Sequence, residues 1–505
     1  MSGEASAVGA PSSTWAAEKD ARLRASVRNE DFALVSRPLD PGLERLERLE
    51  RSGRTSEAMR RIEGELAAGD LEPERAARLR VELYRLRRVC QEYRLSREDV
   101  LGGLRGRLKV ASGDADALLD ELMERRLVDW REIDGERRFL PRYLETLERH
   151  AGEVPGLEAS RDPDAKGLVR TLVSMRETCS QARRITLRAT VASRAPVAPE
   201  DVVRAWLPLP VECGEQRGVE VFYESTPGGV VSPVDSAQRT IFWEGRGAEL
   251  PLVEGRASFQ VLYRYTIQVP YVALYQAADE AGPRRRQGVP TYPGPADAPA
   301  DLAPYLGEKA PHIVFTPFLR ALARRVVGER RDALSRARAI YDYVTSSVKY
   351  HYQPAYVALG SIADTTARTL TGDCGCMSLL FITLCRIAGV PARWQSGLYV
   401  RPQGARPHDW AQFYAGPYGW RWVDCSFGAS AYRSGDELRR THYFGNLDPL
   451  RMIACTDFYE PLTPPDDALR EDPFDNQRGE MSVGGVGLAG SEMERSVEVV
   501  DFEEA

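Results

Sequence analysis

Cys374 stands directly after an acid and at the head of an apolar run, in GDCGCMSLLFITLCRIAGVPARW, residues 372–394. Asp373 is a favoured N-cap, and Met377, Leu380, Phe381 and Leu384 follow at helical spacing. Gly389 can take the left-handed end and Pro391 forbids continuation, so the spacing predicts a helix that opens at Cys374. On that first turn the unpaired N–H groups and the macrodipole favour a thiolate, and the expectation is a Cys374 pKa below the free-thiol value of about 8.5. The backbone N–H of such a residue can also bind an oxyanion forming on an attacked carbonyl. A base and an orienting carboxylate follow in HDWAQFYAGPYGWRWVDCSFG, residues 408–428. Its alternation predicts two strands, with His408, Trp410 and Gln412 sharing one face of the first and Trp420, Trp422 and Asp424 one face of the second. Cys374, His408 and Asp424 are therefore the candidate catalytic triad: nucleophile, base, and the group that fixes the imidazole tautomer. Trp410, the pleat neighbour of His408, is the tryptophan expected to touch substrate. Cys374, Cys376, Cys425 and His408 could be gathered around zinc, but C-x-C lacks the second pair that zinc spacing requires. No metal and no cofactor are expected. Cys90, Cys179, Cys213, Cys385 and Cys455 read as packing residues, and His150, His312, His351 and His442 as surface or capping residues, His351 standing out by its place between Tyr350 and Tyr352.

The blocks GDCGCMSLLFITLCRIAGVPARW, HDWAQFY and GWRWVD together resemble the core of the transglutaminase-like superfamily, over about residues 310–460. The resemblance implies a papain-like α+β fold and a Cys-His-Asp triad working through a thioester, on a protein or peptide substrate. Relatives of this architecture are similar to cysteine proteases and amidases, so hydrolysis is the expected outcome. Protein transamidation is the close alternative, and a non-catalytic protein-interaction scaffold that retains the fold is another. Family members with transglutaminase activity use an upstream Trp as second oxyanion donor; here VKYHYQ offers Tyr350 or Tyr352 in its place. No acidic loop with calcium-ligand spacing is present, so calcium-dependent crosslinking is not implied. The β-rich segment containing RAWLPLP is similar to one often found before this core in bacterial members.

The elements that must position these residues need more than one domain, because a chain of 505 residues exceeds the size at which a single core stops growing, about 250–300 residues. Residues 1–25 are small and polar and are expected to be disordered. Residues 26–165 read as helical, with Leu43, Leu46 and Leu49 and later Leu79, Leu83 and Leu86 forming apolar stripes. Asp134-Gly135 is a two-residue turn signal, so helix plus hairpin outlines a winged-helix-like module. Residues 183–275 change to a period of two and predict a β-sandwich, residues 276–308 a Pro/Gly-rich linker, and 310–465 the catalytic core. Residues 466–505 are acidic and glycine-containing and are expected to form a flexible tail.

The formal net charge of −6 argues against a chain built around phosphate contacts. Residues 71–110 hold eleven Arg or Lys against six Asp or Glu. The candidate module itself mixes Arg137 and Arg138 with Glu132, Asp134 and Glu136, so its expected role is packing or protein contact and not nucleic-acid binding. No run approaches the roughly 20 apolar residues of a membrane span. No secretory leader is seen, and eight cysteines at unrelated spacings make no disulfide framework, so a cytoplasmic setting is expected.

Overall fold

Leu43, Leu46 and Leu49 are all buried in the computed structural model, on one face of the helix Pro41–Arg51. The model describes residues 22–28, 31–32, 34, 41–108, 112–157, 165–280, 290–471 and 473–505. With helices Thr55–Ala68 and Pro73–Glu92, the first helix closes an N-terminal cluster that also takes in Val357 and Leu469. Helices Arg97–Leu108 and Ser112–Glu124 and the hairpin Trp130–Ile133/Glu136–Phe139 form a second unit, in which Leu95 bridges Phe139 as a third strand position. Asp134 and Gly135 both have positive φ, 51° and 83°, as the tight turn requires. That turn is docked: Ser56 N donates to Asp134 Oδ1 at 2.9 Å. The exposed face of Ser112–Glu124 carries Asp114, Asp116, Asp120 and Glu121, which would repel phosphate.

Two antiparallel sheets of five and four strands follow. The central strands Ser180–Ser193 and Ser258–Pro270 pair along thirteen positions. Phe259, Val261, Tyr263, Tyr265 and Ile267 all face the shared core. The remainder of this core is closed by residues expected to be a flexible tail. Met493–Glu504 is a strand paired with Ser180–Ser193, and Glu480–Val483 pairs with Val202–Pro208. The acidity that suggested disorder is cross-strand charge pairing: Glu498 meets Arg188 at 2.5 Å, Glu494 meets Arg194 at 3.2 Å, and Glu504 meets Arg183 at 3.1 Å.

The third sheet, also five-stranded, runs in the order Phe444–Gly445, Trp420–Val423, Gly404–Tyr414, Ala392–Arg401, Arg451–Cys455. Helix Cys374–Ile387 packs on it, surrounded by Pro317–Val327, Ala333–Ser347 and Ile362–Thr369. Leu398, Trp410, Trp422 and Ile453 from this sheet join the sandwich core, so the two units share one apolar cluster.

Other expectations are corrected. Residues 1–21 lie outside the described residues, but Leu23 is buried and Arg24 pairs with Glu492 at 2.9 Å, so residues 22–25 are not disordered. Described parts of the 276–308 stretch are packed: Leu302 and Leu306 are buried, and Arg386 Nη1 donates to Gly307 O at 2.8 Å. Residues 281–289 of that stretch lie outside the described residues. Cys179 and Cys213 are exposed, whereas His150, His312, His351 and His442 are buried, because the chain returns over them at positions the local pattern does not show. Among the described residues no helix is long and apolar enough to cross a membrane.

Candidate active site

Helix Cys374–Ile387 begins where the capping residues place it. Asp373 Oδ1 accepts from Cys376 N at 3.1 Å and from the Tyr356 hydroxyl at 2.5 Å. At the other end Val390 N bonds Cys385 O at 2.9 Å and Gly389 N bonds Arg386 O at 3.1 Å around Gly389 at φ 75°, a Schellman closure. A side chain at Gly389 would meet Tyr292 O at 2.4 Å, so this turn also admits the incoming 290s segment. Gly375 serves the site directly, since a Cβ there would lie 2.2 Å from the Tyr356 hydroxyl and 2.8 Å from Asp409 Oδ2.

The sheet delivers the other two residues. Gln412 lies opposite Trp422 in the register, as the alternation requires. His408, near the middle of Gly404–Tyr414, donates from Nε2 to Asp424 Oδ2 at 2.8 Å. Asp424 follows the strand Trp420–Val423 and caps the helix Cys425–Ser434, its Oδ1 accepting from Phe427 N at 2.9 Å. One carboxylate thereby starts a helix and orients an imidazole. His408 Nδ1 makes no hydrogen bond with a described residue and is the ring nitrogen left for proton transfer. Phe427 and Trp410 flank the ring at centroid distances of 4.9 and 5.9 Å.

Cys374 and His408 line a single cleft of about 990 Å³, together with Tyr350, Tyr352, Tyr356 and Phe427. Among the sequence candidates Tyr350 and Tyr352 thus reach the cleft, while Trp410 does not. Trp410 is fully buried, 0 % exposed, and backs His408 from the core side, so it cannot touch substrate. The pleat places it beside His408, but the sandwich covers its face. No described residue from 276–308 lines the cleft.

The electrostatics differ from the expectation of a thiolate. Cys374 Sγ donates to Asp409 Oδ2 at 3.3 Å, and no hydrogen bond joins it to His408. Burial, then the charges of Asp409 and Asp373, push the thiol up, and these outweigh the helix terminus. Burial also pushes the His408 imidazole down, with Arg451 and Arg406 adding to the effect against Asp424. Both shifts favour the uncharged forms, a neutral thiol and a neutral imidazole lining the same cleft. Burial alone would raise Asp424, but His408 and Arg451 hold its carboxyl down at about 2.

Three functional neighbours escaped the sequence reading. Arg451, fully buried, pairs with Asp424 Oδ2 at 3.0 Å and with Asp448 Oδ2 at 2.7 Å. Asp409 immediately follows His408 but faces Cys374, and burial together with Asp475 and Asp373 raises its pKa well above the carboxylate range. Gln477, in the stretch expected to be a tail, donates from Nε2 to Asp409 Oδ1 at 2.6 Å. An acid next to the candidate base was a visible signal for Asp409; Arg451 and Gln477 had none.

The N-terminal region forms one wall. His150 Nε2 bonds Tyr350 O at 2.8 Å, Arg149 Nη2 donates to the Tyr352 hydroxyl at 3.1 Å, and the Arg142 guanidinium lies 3.6 Å from the Tyr352 ring centroid. Lys349 Nζ reaches Glu153 at 3.1 Å.

Residues 320–425 match the family model described as the transglutaminase-like superfamily, a span that contains Cys374, His408 and Asp424. The comparison with curated proteins found no match. Among solved structures, a candidate cysteine protease from Cytophaga hutchinsonii is 16% identical, covering 64% of this chain and 91% of its own, with a TM-score of 0.38. The periplasmic domain of TgpA from Pseudomonas aeruginosa is 15% identical over 54% of this chain and 96% of its own, with a TM-score of 0.27.

Proposed function

We propose, from the premise that residues 320–425 carry the core of the transglutaminase-like superfamily, that the protein is a cysteine-dependent acyl-transfer enzyme acting on carboxamide or peptide bonds. The observation that carries this reading is that Cys374 and His408, the latter hydrogen-bonded to Asp424, line one cleft. Cys374 Sγ attacks the carbonyl carbon as its proton passes to His408 Nδ1, and Asp424 stabilises the imidazolium. The tetrahedral intermediate collapses, the C–N bond breaks, and the leaving amine takes the proton from His408. Water, activated by the same imidazole, then attacks the thioester and frees the carboxylic acid and the thiol. Hydrolysis is the preferred reading; an amine in place of water gives transamidation. Tyr350 and Tyr352 are assigned as candidate donors to the oxyanion, because both border the cleft. A cytoplasmic setting belongs to the same proposal, supported by eight cysteines that are all free thiols.

A second reading, a restrained or scaffold protein, is favoured by one observation: the thiol hydrogen bond is taken by Asp409 and not by His408. The test is turnover of fluorescein-casein, scored for released peptide and for dansyl-cadaverine incorporation, by the native chain and by Cys374→Ala and His408→Ala. Turnover lost by at least a thousandfold in both variants is the expected result. No peptide release and no amine incorporation by the native chain at any pH between 6 and 10 moves the scaffold reading to first place.

A further inference from the structure

Six arginines line the cleft: Arg142, Arg149, Arg406, Arg433, Arg478 and Arg495. They come from three separate parts of the fold. Arg142 and Arg149 flank or end the helix Tyr143–Arg149, Arg406 and Arg433 belong to the core, and Arg478 and Arg495 come from the C-terminal segment that completes the sandwich. Elsewhere in the chain several guanidinium groups are neutralised by a nearby carboxylate. Arg51, Arg61, Arg75 and Arg87 each meet a glutamate within 3.2 Å. In the cleft, only Arg142 has an ion pair, with Glu145 at 2.5 Å. Arg149, Arg406, Arg433, Arg478 and Arg495 form none with any described residue.

Among the described residues no carboxylate of the cleft forms an ion pair with these five, although Glu153, Glu471 and Glu480 act at longer range on Arg433, Arg478 and Arg495. Glu153 is bound by Lys349 and Glu471 by Arg88, at 3.1 and 3.4 Å. Asp373, Asp409 and Asp475 accept hydrogen bonds from Tyr356, Gln477 and Ser396. Glu480 is buried, 3.9 Å from Arg470, and burial pushes its pKa up to about 7. Burial meanwhile holds Arg406, Arg433 and Arg478 below their ordinary pKa; Arg149 adds to this at Arg406 and, against Glu153, at Arg433, while Arg495 and Arg142 add to it at Arg478, against Glu471. Holding like charges together without an ion-paired carboxylate is unfavourable, and a ligand anion relieves it.

We propose that the cleft takes an acidic peptide, with aspartate or glutamate side chains beside the attacked carbonyl held by these arginines. The proposal rests on the acyl-transfer reading only in calling the peptide a substrate. A guanidinium fork matches a carboxylate bidentately. A single-stranded nucleic acid would also need aromatic faces for stacking, and the available ones are taken: Arg142 covers Tyr352, and the Tyr350 and Tyr352 rings pack edge to face at 5.5 Å. The three-part origin of the arginines also gives the N-terminal region and the C-terminal strands a common task, setting substrate charge for a core that supplies the chemistry.

The test is fluorescence anisotropy of labelled ten-residue peptides on full-length Cys374→Ala, comparing alternating Ala-Glu, Ala-Gln and Ala-Lys sequences and a ten-residue oligothymidylate. Binding of Ala-Glu at least tenfold tighter than Ala-Gln is expected, weakening with salt and by about tenfold in each of Arg406→Gln and Arg495→Gln. Equal affinity for Ala-Glu and Ala-Gln, or Ala-Glu binding unmoved by both arginine variants, overturns the proposal. Oligothymidylate binding as tightly as Ala-Glu overturns it in favour of a general polyanion groove. Incubating the native chain with the same peptides separates the two readings. Selective Ala-Glu binding with no cleavage and no amine transfer sinks the acyl-transfer reading and leaves the acidic-ligand site standing. Cleavage of Ala-Gln and Ala-Glu at equal kcat/KM does the reverse.

Discussion

Cys374 and Asp409 face each other across the start of a helix, with Sγ and Oδ2 3.3 Å apart, although the residue expected beside the thiol was His408. The acid carries the thiol upward in pKa and is itself held up by burial and by Asp475 and Asp373. If Cys374 is the nucleophile proposed above, this contact restrains it by holding its proton toward Asp409 and not toward His408.

Replacing that acid by its amide tests the restraint. In Asp409→Asn, Gln477 can still donate to Oδ1, and the new Nδ2 can donate to Sγ. The pH midpoint of iodoacetamide labelling at Cys374, mapped by mass spectrometry, is expected to fall by about one unit, a tenfold gain in labelling at neutral pH. An unchanged midpoint would show that Asp409 carries no charge at the thiol.

Arg451→Met removes the buried cation shared by Asp424 and Asp448. A loss of about 3 kcal/mol in unfolding free energy is expected, because two buried carboxylates lose their partner. His408 should gain basicity as Arg451 stops opposing its protonation. The proposed mechanism uses the neutral imidazole as base, so the acid limb of kcat/KM, expected below pH 6.5 in the native chain, should move upward. A stability loss with the limb unmoved would assign Arg451 to packing alone.

Glu480 gives a pH-dependent stability of the opposite kind to most carboxylates. Its pKa is raised from 4.5 to about 7 by burial, so the folded chain binds its proton more tightly than the unfolded one. That contribution is complete below pH 4.5 and is lost as pH rises to about 7, amounting to at most about 3 kcal/mol. Glu480→Gln should therefore narrow the difference in Tm between pH 5 and pH 8. An undiminished difference would place the titrating group elsewhere.

Deleting residues 491–505 distinguishes a strand from a tail. The deletion strips the Ser180–Ser193 edge of its partner and of the arginine–glutamate pairs along it. A lower Tm and concentration-dependent aggregation are expected from the opened edge. A chain that melts as before would restore the flexible-tail reading.

Local chemistry explains what was legible in the residues alone. The Asp373 cap, the Gly389 closure, the Asp134-Gly135 turn and the alternation through His408 and Trp422 depend on hydrogen bonds and side-chain periods within a few positions. Those same short-range rules located Cys374 and His408 on their elements, but Asp424, expected on the second strand, lies just past its end and caps the next helix. They could not say what faces what over long separations. Asp409 came to the thiol because its strand points it away from His408, toward the helix start. Gln477, Arg451 and, apart from Arg406, the arginines of the cleft arrive from segments that lie tens to hundreds of residues from His408, so no sequence spacing betrays their place in the site. The glutamates of Met493–Glu504 looked solvated until the Ser180–Ser193 strand supplied arginines opposite them. Tertiary structure alone decided the resting charge of the thiol, because burial and long-range carboxylates outweigh the helix terminus that the local pattern displays.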